Sequence, residues 1–155
     1  MERNRQIMGA NQVKTRIFFT KVFIDADAFV GLYVADDAHH KEAARIALIL
    51  HEARIEVTTS FFVLGEAATV INQKAGIEYA RKFLNSIAFE EMTVFDLNYE
   101  IFMEAREIFA RQTSKNFRFS DAVNIALIKE HGIDAVFSFD NHYKQNGIAR
   151  VGIDG

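Results

Sequence analysis

Two apolar runs in this chain stop at an aspartate: Val-Phe-Ile-Asp25 and Val-Phe-Ser-Phe-Asp140. Aspartate is a good turn-former after a strand, and that alone accounts for either residue taken singly. Two such runs, if parallel, bring both carboxylates to one sheet edge. Glu66 is the only charged residue between Val57 and Gln73. Its neighbours three and four positions away, Phe62, Val63, Thr69 and Val70, are mostly apolar, so we read it as buried rather than as the mark of a solvent stripe. An ionised carboxylate buried there needs a cation or strong donors. Asp121 follows Ser120 at a helix start, where the helix dipole favours an acid, and Asn124 lies three residues on, along the same face. Carboxylates brought together repel one another until a hard cation such as Mg²⁺ or Mn²⁺ neutralises them. The chain has no cysteine, so a metal would be held by oxygen or imidazole, and no thiol can act as nucleophile.

The elements that must position these groups follow from periodicity. Residues 21–25 read as a short buried strand, followed by helical patterns at 27–34 and 38–53. A second strand covers 55–58. Ser60 caps a helix to 74, Gly76 opens another to 88, and 92–97 form a third strand. Residues 99–114 have a helix period, Ser120 caps a helix to 130 with Gly132 as its stop, and 135–139 form a fourth strand. Residues 148–153 read as a last edge strand. Strands alternating with helices predict a parallel sheet covered on both faces, with ligands bound at the carboxyl ends of its strands.

The bulk composition bounds the class. A chain of 155 residues, half apolar and a quarter charged, is the size of one globular domain. Apolar runs are shorter than a membrane span, and the N-terminus lacks a secretory pattern, which predicts a cytoplasmic protein with no membrane partner. The net charge of −3 carries no footprint of phosphate binding. The mean hides a local +4 over residues 1–21, which leaves −7 on the rest. We therefore separate residues 1–20, a basic N-terminal extension, from a domain spanning 21–155. A basic arm flanking an acidic body and a disordered leader explain the extension equally well. His39, His40, His51 and His131 lack ligand spacing and read as surface residues, and His142 is kept only as a substrate contact.

Over residues 21–151 the pattern resembles the PIN domains, which include VapC-type ribonuclease toxins and RNA-processing nucleases. Their sequences are similar in having an apolar strand that ends in Asp, then a helix-borne Glu after a short strand and a Thr/Ser-rich turn. An Asp in a Ser-Asp-Ala context opens a late helix, and an Asp ends a strand in a Thr/Ser-x-Asp context. Here Asp25, Glu66 after Thr58-Thr59-Ser60, Asp121, and Asp140 in Ser138-Phe-Asp match, at spacings of 41, 55 and 19 residues. Asp27 departs from the pattern, standing where relatives carry a neutral Asn, Ser or Thr.

The resemblance implies a three-layer α/β/α fold with a central, mainly parallel sheet of four to five strands. It implies a metal-dependent endoribonuclease using Mg²⁺ or Mn²⁺ and an RNA substrate, with Asp25, Asp121 and Asp140 as metal ligands. Glu66 would be a further ligand or would orient the attacking water. Ser138 would support a neighbouring carboxylate, Arg118 would hold a phosphate, and Asn124 would orient a carboxylate or bind water. A toxin-like member would also form a homodimer and pair with an antitoxin. Two alternatives stand beside it. Asp25-Ala-Asp27 also resembles the phosphatase motif of the haloacid dehalogenase superfamily, and a non-catalytic PIN-like RNA- or protein-binding module would retain the same residues.

Overall fold

The computed structural model describes residues 5–7, 15–17 and 19–154. Most of the basic extension predicted for residues 1–20 lies outside the described residues. Within it, two strands, β1 (Arg5–Ile7) and β2 (Thr15–Ile17), pair antiparallel.

The main sheet has four strands, β3 (Lys21–Ile24), β4 (Glu56–Ser60), β5 (Met92–Phe95) and β6 (Ala135–Phe137). They lie in the order β5-β4-β3-β6, every pair parallel. Helices fill the crossovers: α1 (Ala26–Tyr33) and α2 (His40–Glu52), α3 (Phe61–Ala75) and α4 (Ile77–Asn85), then α5 (Tyr99–Ala110) and α6 (Phe119–Glu130). The chain steps outward from β3 to β4 to β5, then returns across the sheet to β6. Right-handed crossovers running in opposite directions put their helices on opposite faces. Accordingly α1 to α4 pack together as one group and α5 with α6 as another. The reversal of direction lies between β3 and β6, the switch point where parallel sheets open a crevice.

Burial explains the strand sequences. Val22 and Phe23 of the inner strand β3 are essentially inaccessible, as are Val136 and Phe137 of β6 at the end of the sheet order, as expected for strands covered on both faces. Every residue of α6 from Asp121 to Ile128 is buried, so this helix is apolar nearly all round because it runs through the core. The polar end of β4 is satisfied internally: Thr58 Oγ1 donates to Val22 O at 3.1 Å and Thr59 Oγ1 to Ile24 O at 2.8 Å. Gly31 lets α1 approach α2, since a Cβ there would lie 3.0 Å from Ala43 Cβ.

Three expectations about the elements need correction, and one helix is added. Strand β4 continues through Thr58-Thr59-Ser60 instead of yielding to a turn, because the Thr58 and Thr59 hydroxyls pair with β3 carbonyls. Helix α6 starts at Phe119 with Arg118 as its N-cap, ahead of Ser120, because Asp121 reaches back to accept from Arg118 N at 2.9 Å. Residues 148–153 make an isolated bridge between Val136 and Arg150 and then turn, so they do not form a strand. A short helix not foreseen, α7 (Asn141–Gln145), follows β6.

Candidate active site

The four predicted acids come from four elements and line one cleft of about 340 Å³. Asp25 follows β3 and caps α1, Asp140 follows β6 and caps α7, Asp121 lies in the first turn of α6, and Glu66 projects from α3. The cleft therefore sits at the β3/β6 switch point, beyond the carboxyl ends of the strands. Arg118 and Asp27 also line it, together with His39, Asp37 and Lys74, which the sequence did not mark as site residues.

Asp25 and Asp121 are the two buried acids of the four, and Asp25 has three hydrogen-bond donors around it. Its Oδ1 accepts from Ala26 N at 2.7 Å and from Asn124 Nδ2 at 3.0 Å, which occupies both lone pairs of that oxygen. Its Oδ2 accepts from the Tyr143 hydroxyl at 2.6 Å and keeps one acceptor position. Asn124 Nδ2 also donates to the Tyr143 oxygen at 2.9 Å, so the three side chains form a closed network. Asn124 is thus a buried support for a carboxylate, one of the two roles open to it from sequence. Tyr143 was missed: it is fully buried on a five-residue helix too short to show a period.

Burial raises the Asp25 carboxyl well above the usual range, and the charge of Asp27 adds to this. The Asp27 carboxyl is pushed up to about 6, again chiefly by burial. Burial also raises Asp121. The donors that the fold supplies therefore do not offset the cost of several negative charges in one enclosed place. That deficit, in an oxygen-rich donor set, is what a divalent cation would compensate, so the residues fit such an ion.

Asp27 ties α1 to the start of α7. Its Oδ2 accepts from Ser138 Oγ at 3.0 Å and from Phe139 N at 2.7 Å, while Oδ1 is buried without a hydrogen bond. Ser138 Oγ also accepts from Asp140 N at 3.1 Å, so the expected contact of Ser138 with a neighbouring carboxylate is made to Asp27.

Glu66 is half-buried rather than buried, with its side chain 26% exposed, because α3 presents it to the cleft and not to the core. It pairs with Arg118 Nη1 at 3.2 Å, and that arginine is 72% exposed. Further along α3, Lys74 Nζ pairs with Asp37 Oδ2 at 2.9 Å. Two cations thus stand at the rim of an acidic floor, each held by a carboxylate.

Among the described residues, one group offers three metal-ligating atoms within 4.8 Å of one another: Asp121, Asp140 and His142. His142 Nδ1 lies 2.9 Å from Asp140 Oδ1 and 3.8 Å from Asp121 Oδ2. Of the other histidines, His51 and His131 are exposed and His39, though exposed, lines the cleft. His39 stacks on Phe139, His131 stacks on Phe95, and His40 Nδ1 contacts Gly31 O at 2.7 Å.

Known proteins are similar in sequence and fold. The family model described as PIN domain matches residues 22–149. The 23S rRNA-specific endonuclease VapC20 of Mycobacterium tuberculosis is 28% identical over 134 residues, covering 84% of this chain and 97% of that protein. The crystal structure of M. tuberculosis VapC20, described as a sarcin-ricin loop cleaving toxin, superposes with a TM-score of 0.75 at 26% identity. That superposition covers 84% of this chain and 98% of the other. VapBC2 from Rickettsia felis, solved bound to a DNA fragment from its promoter, is similar in fold alone. Its TM-score is 0.61 at 10% identity, over 84% of this chain and 96% of that one.

Proposed function

This chain belongs to the PIN domain family, and from that premise we propose that it is a metal-dependent endoribonuclease, a VapC-like toxin that hydrolyses phosphodiester bonds in a structured ribosomal RNA. The observation that carries the reading is the convergence of Asp25, Glu66, Asp121 and Asp140 in one cleft at the sheet's switch point.

Asp121 and Asp140, with the free acceptor position of Asp25 Oδ2, would hold Mg²⁺ or Mn²⁺. The bound cation supplies Lewis-acid polarisation of the scissile phosphate and a water of lowered pKa. Glu66, at the open side of the cleft, accepts a hydrogen bond from the attacking water and orients it in line with the leaving oxygen. The water oxygen bonds to phosphorus as it gives up one proton to solvent, the bond from phosphorus to the leaving ribose oxygen breaks, and that oxygen takes up a proton from solvent. Arg118 exchanges its contact with Glu66 for a substrate phosphate, which its exposure permits. Asn124 and Tyr143 hold Asp25 still, and Ser138 fixes the turn that presents Asp140.

The ribosomal substrate is suggested by the similarity to VapC20. A toxin of this type acts in the cytoplasm, as a homodimer held by an antitoxin. Among the described residues no helix is long and apolar enough to cross a membrane. Apolar side chains left on the surface of α2, α4 and α5, including Leu48, Ile77, Tyr79, Leu84 and Phe102, supply area for such partners. The phosphatase alternative is disfavoured by Asp27. A general acid there needs a carboxyl free to meet substrate, and this one is tied to Ser138 and Phe139.

The test is cleavage of ribosomal RNA and of unrelated structured and single-stranded RNAs, with Mg²⁺, Mn²⁺ or EDTA, beside Asp25→Asn. Metal-dependent cuts that disappear in the variant support the reading. Folded protein that binds RNA but cuts none of these substrates points to the non-catalytic module instead.

A further inference from the structure

We propose that His142 is itself a ligand of the cation, through Nδ1, and that with Asp121 and Asp140 it makes a mixed nitrogen and oxygen site that favours Mn²⁺ over Mg²⁺. The proposal rests on the reading of the cleft as a metal site, and extends it to a residue that the acidic pattern does not contain.

The first observation is an orphaned atom. His142 Nδ1 is buried and makes no hydrogen bond, although Asp140 Oδ1 is only 2.9 Å away. A buried polar atom left without a hydrogen bond is costly, so such atoms call for an explanation. Here the atom faces two carboxylates without being aligned on either.

The second is spacing. Donors sharing an octahedral ion at about 2.1 Å stand roughly 3 Å apart when adjacent and about 4.2 Å apart when opposite. Nδ1 lies 2.9 Å from Asp140 Oδ1 and 3.8 Å from Asp121 Oδ2, and all three donors fall within 4.8 Å. The 2.9 Å separation is that of adjacent donors and 3.8 Å falls between adjacent and opposite, so the three atoms share one ion after a closure of a few tenths of an ångström at Asp121.

The third is that the ring is held in place by the protein. His142 N donates to Asp140 Oδ1 at 2.8 Å, its carbonyl accepts from Asn146 Nδ2 at 2.8 Å, and Phe117 meets the ring edge-on at 5.3 Å. The two hydrogen bonds fix the backbone of His142 beside Asp140, and Phe117 packs against the imidazole, which stands next to both carboxylates before any ion arrives. The competing account makes His142 an imidazolium counter-ion to Asp140 and Asp121, in which case a bound cation would displace it.

Imidazole is a good donor to first-row transition ions, while Mg²⁺ selects oxygen and water. A nitrogen ligand therefore tilts the site toward Mn²⁺. The experiment uses the full chain loaded with Mn²⁺, read by electron spin-echo envelope modulation for a directly bound ¹⁴N. Calorimetry of Mn²⁺ and Mg²⁺ binding to wild type and His142→Gln accompanies it. We expect a coordinated nitrogen in wild type that is absent in the variant. Mn²⁺ affinity should fall about 10-fold or more, and Mg²⁺ affinity much less. Bound Mn²⁺ with oxygen ligands only in wild type overturns the proposal while leaving the metal-dependent reading of the cleft intact. Mg²⁺ binding without Mn²⁺ binding also overturns the proposal alone, and if neither ion binds, both fall. The wild-type spectrum decides the matter even where the variant fails to fold.

Discussion

The Tyr143 hydroxyl donates to Asp25 Oδ2 at 2.6 Å, joining the last helix of the fold to the carboxylate that ends β3, with both side chains buried. The contact spans the switch point, so the geometry of Asp25 depends on how the C-terminal part of the chain packs. Tyr143→Phe keeps the ring and removes only this donor. We expect a loss of about 1–3 kcal/mol in urea denaturation. Cleavage should fall roughly 10- to 100-fold, as for the removal of a partner that orients a metal ligand. Unchanged activity would show that Asn124 and Ala26 N suffice to hold Asp25.

Arg118 makes the opposite case. Its pair with Glu66 is mostly exposed, and such pairs contribute little, about 0–1 kcal/mol. Arg118→Ala should therefore leave the denaturation midpoint nearly unchanged. RNA binding should weaken, and the slope of log affinity against log salt should become shallower by about 0.7 to 1, as expected when the protein neutralises one phosphate fewer. Filter binding over a salt series measures both quantities.

Acid sensitivity should arise partly outside the cleft. Arg150 grips Asp154 through Nε and Nη2, both at 2.9 Å, and its backbone N adds a third bond at 3.0 Å. The arginine hydrogen bond is the main reason the Asp154 carboxyl is held down at about 2, against 3.8 ordinarily. A carboxylate whose folded pKa is depressed stabilises above its unfolded value and loses that contribution as pH falls through the folded one. Asp154→Asn should be less stable than wild type by roughly 1–2 kcal/mol near neutrality, a figure reduced for solvent screening. The gap should close between about pH 4 and pH 2, which a melting series across that range would follow.

Metal binding should register as stability. An ion that binds only the folded chain stabilises it by about 2.7 kcal/mol at a concentration of 100 times Kd. Titrating Mn²⁺ into protein stripped with EDTA should raise Tm in wild type and much less in Asp121→Asn. Equal shifts in the two would place the ion elsewhere.

Much of this was legible in the sequence because it depends on local rules. Asp25 and Asp140 end apolar strands, and parallel pairing carries both to one edge. Ser60 caps α3 as its residue type suggests, accepting from Val63 N. What failed depends on contacts between distant segments. Glu66 reads as buried because its neighbours in sequence are apolar, yet Phe61 and Phe62 nearby on α3 are themselves exposed. Helix α6 begins early because Asp121 caps backwards, which an assignment made from Ser120 overlooks. Tyr143 and His142 lie on a helix of five residues, below the length at which a period can be read, and their partners lie far away or in a turn. Tyr143 meets Asp25 across 118 residues of chain. No spacing rule spans that distance.

The central claim is that Asp25 and Asp121, brought together from β3 and α6, serve one catalytic site. Cleavage of ribosomal RNA in Mn²⁺ by wild type, Asp25→Asn, Asp121→Asn and the double variant tests it most directly, with folding checked by circular dichroism. Residues acting as a unit are strongly non-additive. Each single variant should lose about 100-fold or more in rate, and the double variant should be little worse than either. Folded single variants that cut at the wild-type rate would contradict the claim.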